Sequence, residues 1–363
     1  MTMKNILGKA MLLASALLFS VSGTSCSNDD TPTPEQEKTY DMTGFAKGAD
    51  VSWLTEMESD GVKFYNAEGK STECLALLRD LGTNSIRLRV WVNPDGGWCG
   101  KDDVVAKAWR AQQLGYRIMI DFHYSDTWAD PSNQKTPAAW QGYTAEQMKQ
   151  AVADHTTDVL STLKAKGVEN VEWVQVGNET RDGMLWSDDD AVTGRVSKNA
   201  ANFAAYVNAG YDAVKAVYPN AKVIVHIDEG NNINRYTWIF NELKNHNGKW
   251  DVIGMSLYPE DSNWETLTDN CLANIKTLSG KYNCDVVISE IGMWWGSDQA
   301  APMMKKMVDG CKAITTCEGI FYWEPEVYNN WKPANYTALG WDAYTKGAFD
   351  NSGKPTAVFD AYK

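Results

Sequence analysis

The sequence predicts a single (β/α)8 barrel, and three observations favour this fold. Eight short apolar, β-branched runs recur along the chain, amphipathic helical segments separate them, and polar residues follow seven consecutive runs. Such an alternation is typical of parallel α/β folds, and eight units close a barrel. The 363 residues could hold two ordinary domains, but one barrel of about 250 residues or more also fits once the N-terminal region is set aside.

The predicted strands follow one another at barrel spacing. They cover residues 45–52, 85–90, 118–122, 172–176, 222–227, 252–257, 286–289 and 319–323. The predicted helices between them cover residues 73–81, 104–114, 145–166, 199–218, 236–245, 265–282 and 302–314. A glycine follows several of these helices, most clearly Gly82, Gly115 and Gly167, as expected where a helix ends in a left-handed residue.

Composition restricts the classes of partner. The formal net charge is −13 and the chain contains no run of Lys or Arg, which argues against a nucleic-acid partner or an anionic membrane surface. The chain has 16 Trp and 16 Tyr against 9 Phe, and aromatics with a polar edge suit the faces of sugar rings, although most are expected to be packing residues. With 4 His and no Cys-x-x-Cys or His-Glu-x-x-His spacing, no zinc site is predicted.

The N-terminal region has the layout of a secretory signal. Lys4 and Lys9 precede the apolar stretch 10–21, and the small residues 22–25 lead to Cys26. The cysteine at this point resembles the end of a bacterial lipoprotein signal, in which Cys26 is lipidated and becomes the mature N-terminus. Ordinary cleavage, with Cys26 left as a free thiol, is the alternative.

We therefore predict three regions: a lipoprotein signal peptide at residues 1–25, a flexible acidic and Pro-containing tether at 26–40, and the catalytic barrel at 41–363. An acidic stretch directly after the cysteine resembles the surface-export signal of some Gram-negative outer-membrane lipoproteins. The expected location is the outer membrane, with the barrel on the cell surface. Six cysteines remain, and both disulfides and buried free thiols are compatible with the sequence. They are Cys74, Cys99, Cys271, Cys284, Cys311 and Cys317.

Two glutamates end predicted strands 111 residues apart. Glu179 closes the run Val-Gln-Val-Gly-Asn-Glu, and Glu290 closes Val-Val-Ile-Ser-Glu. A closed barrel brings both strand ends to one face, where catalytic groups of such barrels lie. A retaining glycosidase needs one carboxyl group as acid/base and a second, about 5–5.5 Å away, as nucleophile. The pair therefore indicates glycosidase chemistry.

Other predicted strands also carry polar or aromatic residues, within strand two or at the strand ends, that should collect around the same mouth. In chain order they are Arg87, Arg89, Asp121, His123, Asn178, His226, Asp228, Glu229, Tyr258, Trp323 and Glu324.

This arrangement resembles the clan of retaining (β/α)8 glycosidases and, more closely, the arabinogalactan endo-β-1,4-galactanases of glycoside hydrolase family 53. The motifs that carry the resemblance extend from about residue 45 to the C-terminus. The most specific is Asp-Phe-His-Tyr-Ser-Asp-Thr-Trp-Ala-Asp-Pro at 121–131. The others are Lys-Gly-Ala-Asp-Val-Ser at 47–52, Ile-Arg-Leu-Arg-Val-Trp-Val-Asn-Pro at 86–94, Gln-Val-Gly-Asn-Glu at 175–179, Ser-Leu-Tyr-Pro at 256–259 and Phe-Tyr-Trp-Glu-Pro at 321–325.

The resemblance implies a role for each site residue. Glu179 would be the acid/base and Glu290 the nucleophile. Arg87 would keep Glu290 ionised, Tyr258 would orient it, and Asn178 would bond the sugar 2-hydroxyl.

The remaining residues would contact the substrate. Trp128 and Trp323 would supply flat walls, and hydrogen bonds to hydroxyls would come from His123, Asp228 and Glu229. The alternatives to such contacts are a structural role for His123, plain loop packing of Trp128 and a salt bridge of Glu324. Arg89 would extend the network of Arg87.

Two positions depart from the family pattern, Leu257 and Met293, which leaves the subsite preference open. The loop after Glu290 is short and contains Asp298 as its one carboxylate, too few oxygen ligands for calcium. We therefore predict no metal and no cofactor.

The interpretation is a monomeric, retaining endo-β-1,4-galactanase acting on the galactan side chains of pectic polysaccharide. Another clan member cutting β-mannan, xylan or β-glucan is one alternative. A non-catalytic glycan-capture lipoprotein is the other, although it has no need of both Glu179 and Glu290.

Overall fold

The computed structural model describes residues 38–363. The predicted signal peptide and Cys26 lie outside the described residues, so their assignment stays a prediction. One compact unit comprises Tyr40–Lys363. In the part of the chain described, no helix is long and apolar enough to span a membrane.

Eight parallel strands form a closed barrel in which each strand pairs with its neighbours in the sequence and the first also pairs with the last. The predicted (β/α)8 fold is therefore confirmed. The strands are β1 Ala46–Asp50, β2 Ser85–Val90, β3 Arg117–Phe122, β4 Val171–Val176, β5 Lys222–Ile227, β6 Val252–Leu257, β7 Asp285–Ile291 and β8 Cys317–Trp323.

The helices that cover the barrel agree with the prediction to within a few residues at each end. The seven predicted helices are Cys74–Asp80, Lys101–Gln113, Ala145–Ala165, Val196–Val217, Ile233–Asn245, Trp264–Tyr282 and Ala300–Lys312. The sequence did not predict the short helices Leu54–Ser59 and Ala334–Leu339, the two-stranded ribbon Phe64–Tyr65 with Ser71–Thr72, or the 3₁₀ segment Ala357–Tyr362. Each is too short to show a hydrophobic period.

A plug of apolar side chains fills the interior of the barrel, with one side chain from each of seven strands. The plug consists of Ala46, Met119, Trp173, Ile224, Val252, Val287 and Phe321. The rings of Trp173 and Phe321 meet edge to face at 5.7 Å. Gly48 makes room for Phe321, because a Cβ at this position would clash with the phenyl ring. The plug leaves the barrel without a pore.

The next inward-facing layer is polar. Side chains along a strand alternate between two faces, so the residue two positions after an inward residue also points inward. Met119 is thus followed by Asp121, Trp173 by Gln175 and Ile224 by His226, and all three polar residues are buried. The strands thereby place a buried polar layer between the apolar plug and the carboxyl ends of the barrel.

All six cysteines of the described chain are free thiols. Five are buried and Cys284 is half-buried. Of the two possibilities left open by the sequence, the structure has free thiols.

Candidate active site

A pocket of about 320 Å³ opens at the carboxyl ends of the strands and contains both predicted catalytic glutamates. It is lined by His123, Trp128, Ala129, Asp130, Asn178, Glu179, Tyr258, Glu290, Trp323, Tyr336, Trp341, Tyr344 and Lys346. A larger cleft of about 610 Å³ around Trp250 and Tyr282 contains none of the predicted site residues. The pocket at the strand ends is therefore the candidate active site.

Arg87 lies beneath the pocket with no exposed surface and contacts three carboxylates. Its guanidinium is 3.0 Å from Glu290 Oε1, 2.5 Å from Asp50 Oδ2 and 2.9 Å from Asp121 Oδ2. Burial acts to lower the pKa of Arg87, but the charges of the three carboxylates raise it above its usual range. The guanidinium is therefore a permanent cation against the floor of the site.

Glu290 is held at both carboxylate oxygens. Arg87 contacts Oε1, and the Tyr258 hydroxyl donates a hydrogen bond of 2.7 Å to Oε2. Burial raises the pKa of Glu290, whereas the Arg87 charge and the Tyr258 hydrogen bond both act to lower it. These two contacts fix the orientation of the carboxylate and stabilise its ionised form.

Glu179 has a different environment. As a residue, Glu179 is half-buried, because it lines the open pocket. Its carboxyl group is enclosed, and this burial raises the pKa of the carboxyl group well above the usual range. The charges of Glu290 and Asp228 raise the pKa further. Because Glu290 alone has the guanidinium and the tyrosine hydroxyl, a proton shared by the pair resides on Glu179.

The backbone at Glu179 is strained, with a φ of +44° in the left-handed region that non-glycine residues rarely adopt. Gly177 precedes it with a φ of +85°, and a Cβ at Gly177 would lie 2.7 Å from Thr180 Cγ2. The amide of Thr180 donates a 2.8 Å hydrogen bond to the carbonyl of His226. This turn directs the Glu179 side chain from the end of β4 into the pocket.

Asn178 connects the polar layer to the pocket. Its Oδ1 accepts hydrogen bonds from Arg87 at 3.0 Å and Gln175 at 3.1 Å, and its Nδ2 donates to the carbonyl of Ala129 at 2.8 Å. An amide nitrogen has two protons, so one remains for a ligand in the pocket. The predicted bond to a sugar hydroxyl is compatible with this geometry and stays a prediction.

Gln175, His226 and Ser256 form a hydrogen-bonded chain that ends at Glu179. The Gln175 Nε2 group donates to His226 Nδ1 at 2.9 Å, and His226 Nε2 donates to the Ser256 hydroxyl at 2.7 Å. Ser256 in turn donates to the Glu179 carboxylate. Gln175 and Ser256 were not among the predicted site residues. The sequence feature that could have identified them is the two-residue alternation along β4 and β6, which places both side chains inside the barrel.

His123 lines the pocket, but both of its ring nitrogens already have partners. Its Nε2 donates to Asp121 at 3.0 Å, and its Nδ1 accepts from the Trp91 indole at 3.1 Å and from the Ala129 amide at 3.2 Å. Burial lowers the pKa of His123, in keeping with this neutral tautomer. No ring nitrogen of His123 is therefore free for the predicted hydrogen bond to a sugar hydroxyl. The hydrogen bond from His123 positions Asp121.

Asp228 and Glu229 lie outside the lining of the pocket, and each pairs with both Arg181 and Arg235. The predicted hydrogen bonds from these carboxylates to the substrate stay a prediction. The two arginines thus balance the negative charges of both carboxylates. Asp228 acts on the site at a distance, because its charge helps to raise the pKa of Glu179.

The predicted aromatic walls do line the pocket. Trp128 and Trp323 have ring centroids 6.1 Å apart and meet edge to face. The guanidinium of Arg89 lies 4.3 Å from the Trp128 ring and pairs with Glu324 at 3.0 Å. Arg89 therefore forms a separate ion pair beneath the aromatic wall rather than extending the network of Arg87, and Glu324 makes the salt bridge that was its alternative role.

Four further lining residues come from the segment after β8 and were not predicted as site residues. They are Tyr336, Trp341, Tyr344 and Lys346. No strand-end pattern marks them, because they lie at least 13 residues beyond the last strand residue, Trp323.

Within residues 38–363, no three His, Cys, Asp or Glu side chains are grouped so that they could hold a metal ion. Arg87 occupies the centre of a carboxylate cluster that consists of Asp50, Asp121 and Glu290. The absence of a bound metal in the working protein stays a prediction.

Comparison with known proteins gives the family. The model of glycosyl hydrolase family 53 matches residues 46–306. An endo-beta-1,4-galactanase of Bacillus subtilis is 30% identical over 313 residues, which cover 77% of this chain and 70% of the relative. An arabinogalactan endo-beta-1,4-galactanase of Cellvibrio japonicus is 34% identical over 298 residues, or 79% of this chain and 73% of the relative. The solved GH53 catalytic domain of Ignisphaera aggregans superposes with a TM-score of 0.76 at 27% identity, over 88% of this chain and 96% of that domain. The family resemblance inferred from the motifs is thus confirmed, and the chain belongs to glycosyl hydrolase family 53.

Proposed function

We propose that this protein is a retaining endo-β-1,4-galactanase that hydrolyses the β-1,4-galactan side chains of pectic polysaccharide to galactooligosaccharides. The observation that carries the proposal is the unequal environment of two carboxyl groups in one pocket. Glu290 has a guanidinium and a tyrosine hydroxyl as partners, whereas burial and two neighbouring negative charges favour the protonated form of Glu179. Relatives named as galactanases support β-1,4-galactan as the substrate.

The proposed reaction proceeds in two displacements. In the first, a Glu290 oxygen attacks the anomeric carbon while Glu179 gives its proton to the departing glycosidic oxygen, so that the old bond breaks and a glycosyl ester forms. In the second, the now ionised Glu179 takes a proton from water, whose oxygen attacks the anomeric carbon and releases Glu290. Two inversions restore the β-configuration.

The pH dependence of kcat/KM follows from the two pKa shifts. Activity requires an ionised Glu290 and a protonated Glu179, so activity is lost as pH falls through the pKa of Glu290 and as pH rises through that of Glu179. Because burial raises both pKa values, we expect a bell-shaped profile whose two limbs both lie above about 4.3, the ordinary pKa of a glutamate.

The Glu179→Ala variant separates the limbs. On an aryl galactoside with a good leaving group, formation of the glycosyl-enzyme needs no acid, so the high-pH limb should disappear and the low-pH limb should stay. A high-pH limb that persists in this variant contradicts the assignment of the limb to Glu179.

Substrate class is tested by product analysis. Purified protein is incubated with β-1,4-galactan and, in parallel, with β-mannan, xylan and cellulose, and products are separated by size. We expect internal cleavage of galactan to oligosaccharides, with rates on the other polymers lower by at least a factor of about 100, since one well-recognised hydroxyl can account for such discrimination. Preferred cleavage of another polymer would favour the other clan members, and absence of any cleavage would favour the glycan-capture alternative.

We further propose that the chain is exported and held at the outer membrane, with its barrel on the cell surface, through a lipid on Cys26. The support is in the sequence: Lys4 and Lys9, the apolar stretch, and the acidic Pro-containing tether. We also propose a monomer, because one chain supplies both Glu179 and Glu290.

Replacement of Cys26 tests the anchor. One acyl chain binds a membrane only marginally, whereas several hold it firmly. The native protein should therefore stay in the membrane fraction through washing, and Cys26→Ala should be released as an active soluble enzyme, since the first barrel strand begins only at Ala46. A native protein recovered free in the medium or periplasm would contradict the lipid anchor and leave the proposed activity untouched.

A further inference from the structure

A second groove of about 370 Å³ adjoins the candidate active site. We call it the side groove, and it is lined by Pro259, Glu260, Asp261, Ser262, Met293, Trp294 and Lys346. Lys346 also lines the catalytic pocket, and its ammonium lies 5.2 Å from the ring centre of Tyr258. A chain that leaves the catalytic pocket past Tyr258 and Lys346 therefore enters the side groove directly.

The walls of the side groove are joined to each other and to the barrel. The Ser297 hydroxyl donates a hydrogen bond to Asp261 and so connects the loop after β7 to the loop after β6. The Trp295 amide donates to the carbonyl of Thr345 at 3.2 Å, and the Met293 amide donates to the Tyr322 hydroxyl at 3.3 Å. These bonds hold the groove in shape without a ligand.

Trp294 supplies an open aromatic surface in this groove. Its side chain is 51% exposed, more than any other large hydrophobic residue in the described chain. The indole lies over Gly296, where a Cβ would come within 2.8 Å of Trp294 Cζ2. Contact with Gly296 supports one side of the ring and leaves the rest of its surface to the groove. A single exposed tryptophan is common on protein surfaces, but here the ring is braced and continuous with the active site.

Charged groups of both signs accompany the indole. Burial lowers the pKa of Lys346, and the charge of Glu260 across the groove opposes that shift. A pyranose ring presents an apolar face and a rim of hydroxyls that both donate and accept hydrogen bonds. An aromatic surface flanked by a carboxylate and an ammonium matches this combination.

We propose that the side groove is a distal sugar-binding subsite in which Trp294 stacks on a galactose residue of the same polysaccharide chain that occupies the catalytic pocket. The inference rests on the proposed function and deepens it by identifying a residue that sets the preference for chain length. The subsite is expected to be specific to this chain, because the loop after β7 departs from the family pattern at Met293, directly before Trp294.

The test compares Trp294→Ala with Trp238→Ala, a matched change at a tryptophan that is 39% exposed on helix Ile233–Asn245 and absent from both the pocket and the groove. The kcat/KM is measured on β-1,4-galactooligosaccharides of increasing length. For Trp294→Ala we expect about a tenfold loss, equivalent to about 1.4 kcal/mol, on long oligosaccharides and no loss on the shortest cleaved substrate. Trp238→Ala should match the wild type at every length.

Two further variants test whether the aromatic face of Trp294 and its position cause the loss. Trp294→Phe should recover part of the loss, because it retains an aromatic face. Gly296→Ala keeps the indole but displaces it, and should reproduce the length-dependent loss in a protein with unchanged far-UV circular dichroism.

Equal losses at all lengths, or none at any length, in a wild-type protein that cleaves galactan would overturn the subsite and leave the proposed function intact. Failure of the wild type to cleave galactan would instead overturn the proposed function itself.

Discussion

Replacement of Glu290 by alanine is expected to remove turnover on galactan and on activated aryl galactosides alike, by a factor on the order of 10⁴ to 10⁶ in kcat. Without the carboxylate, no glycosyl-enzyme can form, and a better leaving group does not help. The variant leaves Arg87 without one of its three carboxylate partners, but Asp50 and Asp121 still pair with it, so the fold should persist.

Azide provides the positive test for Glu290. The alanine leaves space beside the anomeric carbon, and azide can attack there once from the side that Glu290 used. The expected product from a β-galactoside is the α-galactosyl azide, identified by NMR. Glu172→Ala is the matched control, because Glu172 pairs with Arg117 at the opposite end of β4 and should retain full activity. A Glu290→Ala protein that still turns over an aryl galactoside at a substantial rate would contradict its role as nucleophile.

Replacement of Glu179 by alanine should give a different pattern. On galactan we expect a loss of about 10²- to 10⁴-fold, the usual contribution of a positioned general acid. On an aryl galactoside with a good leaving group, attack by Glu290 needs no proton donor, so the glycosyl-enzyme should form and accumulate. The measurement is a burst of released phenol at pre-steady state, followed by slow hydrolysis.

Azide again separates the roles of the two glutamates. In Glu179→Ala it attacks the accumulated ester from the face opposite to Glu290 and should yield the β-galactosyl azide. An α-azide from Glu179→Ala together with a β-azide from Glu290→Ala would exchange the two assignments. Equal loss on galactan and on the activated substrate would indicate that Glu179 does not act as the acid.

The barrel could be predicted because its physical basis is repetitive. A buried parallel strand is a short apolar run, which recurs eight times, and a covering helix has a 3.6-residue period, which recurs in seven segments. The same logic placed Glu179, Glu290, Arg87 and Tyr258 at one mouth. In the structure Arg87 and Tyr258 contact Glu290, and Glu179 lines the same pocket. The ribbon Phe64–Tyr65 with Ser71–Thr72 carries no such repetition and was missed.

Partners of individual side chains could not be predicted in the same way. The sequence places His123 at a strand end but does not reveal that its Nδ1 accepts hydrogen bonds from Trp91, which follows another strand, and from the amide of Ala129 in its own loop. Likewise, the sequence places Asp228 just after a strand but does not reveal that it pairs with Arg181 and Arg235. Position follows from periodicity, whereas hydrogen-bond partners depend on the tertiary arrangement of loops.

The stereochemistry of the first product tests the central claim most directly. Proton NMR of the anomeric region is recorded within the first minutes of cleavage of a β-1,4-galactooligosaccharide, before mutarotation scrambles the new reducing end. Double displacement by Glu290 with Glu179 as acid/base predicts that the β-anomer appears first and the α-anomer follows by mutarotation. An α-anomer that appears first would show a single displacement by water and contradict the assignment of Glu290 as nucleophile.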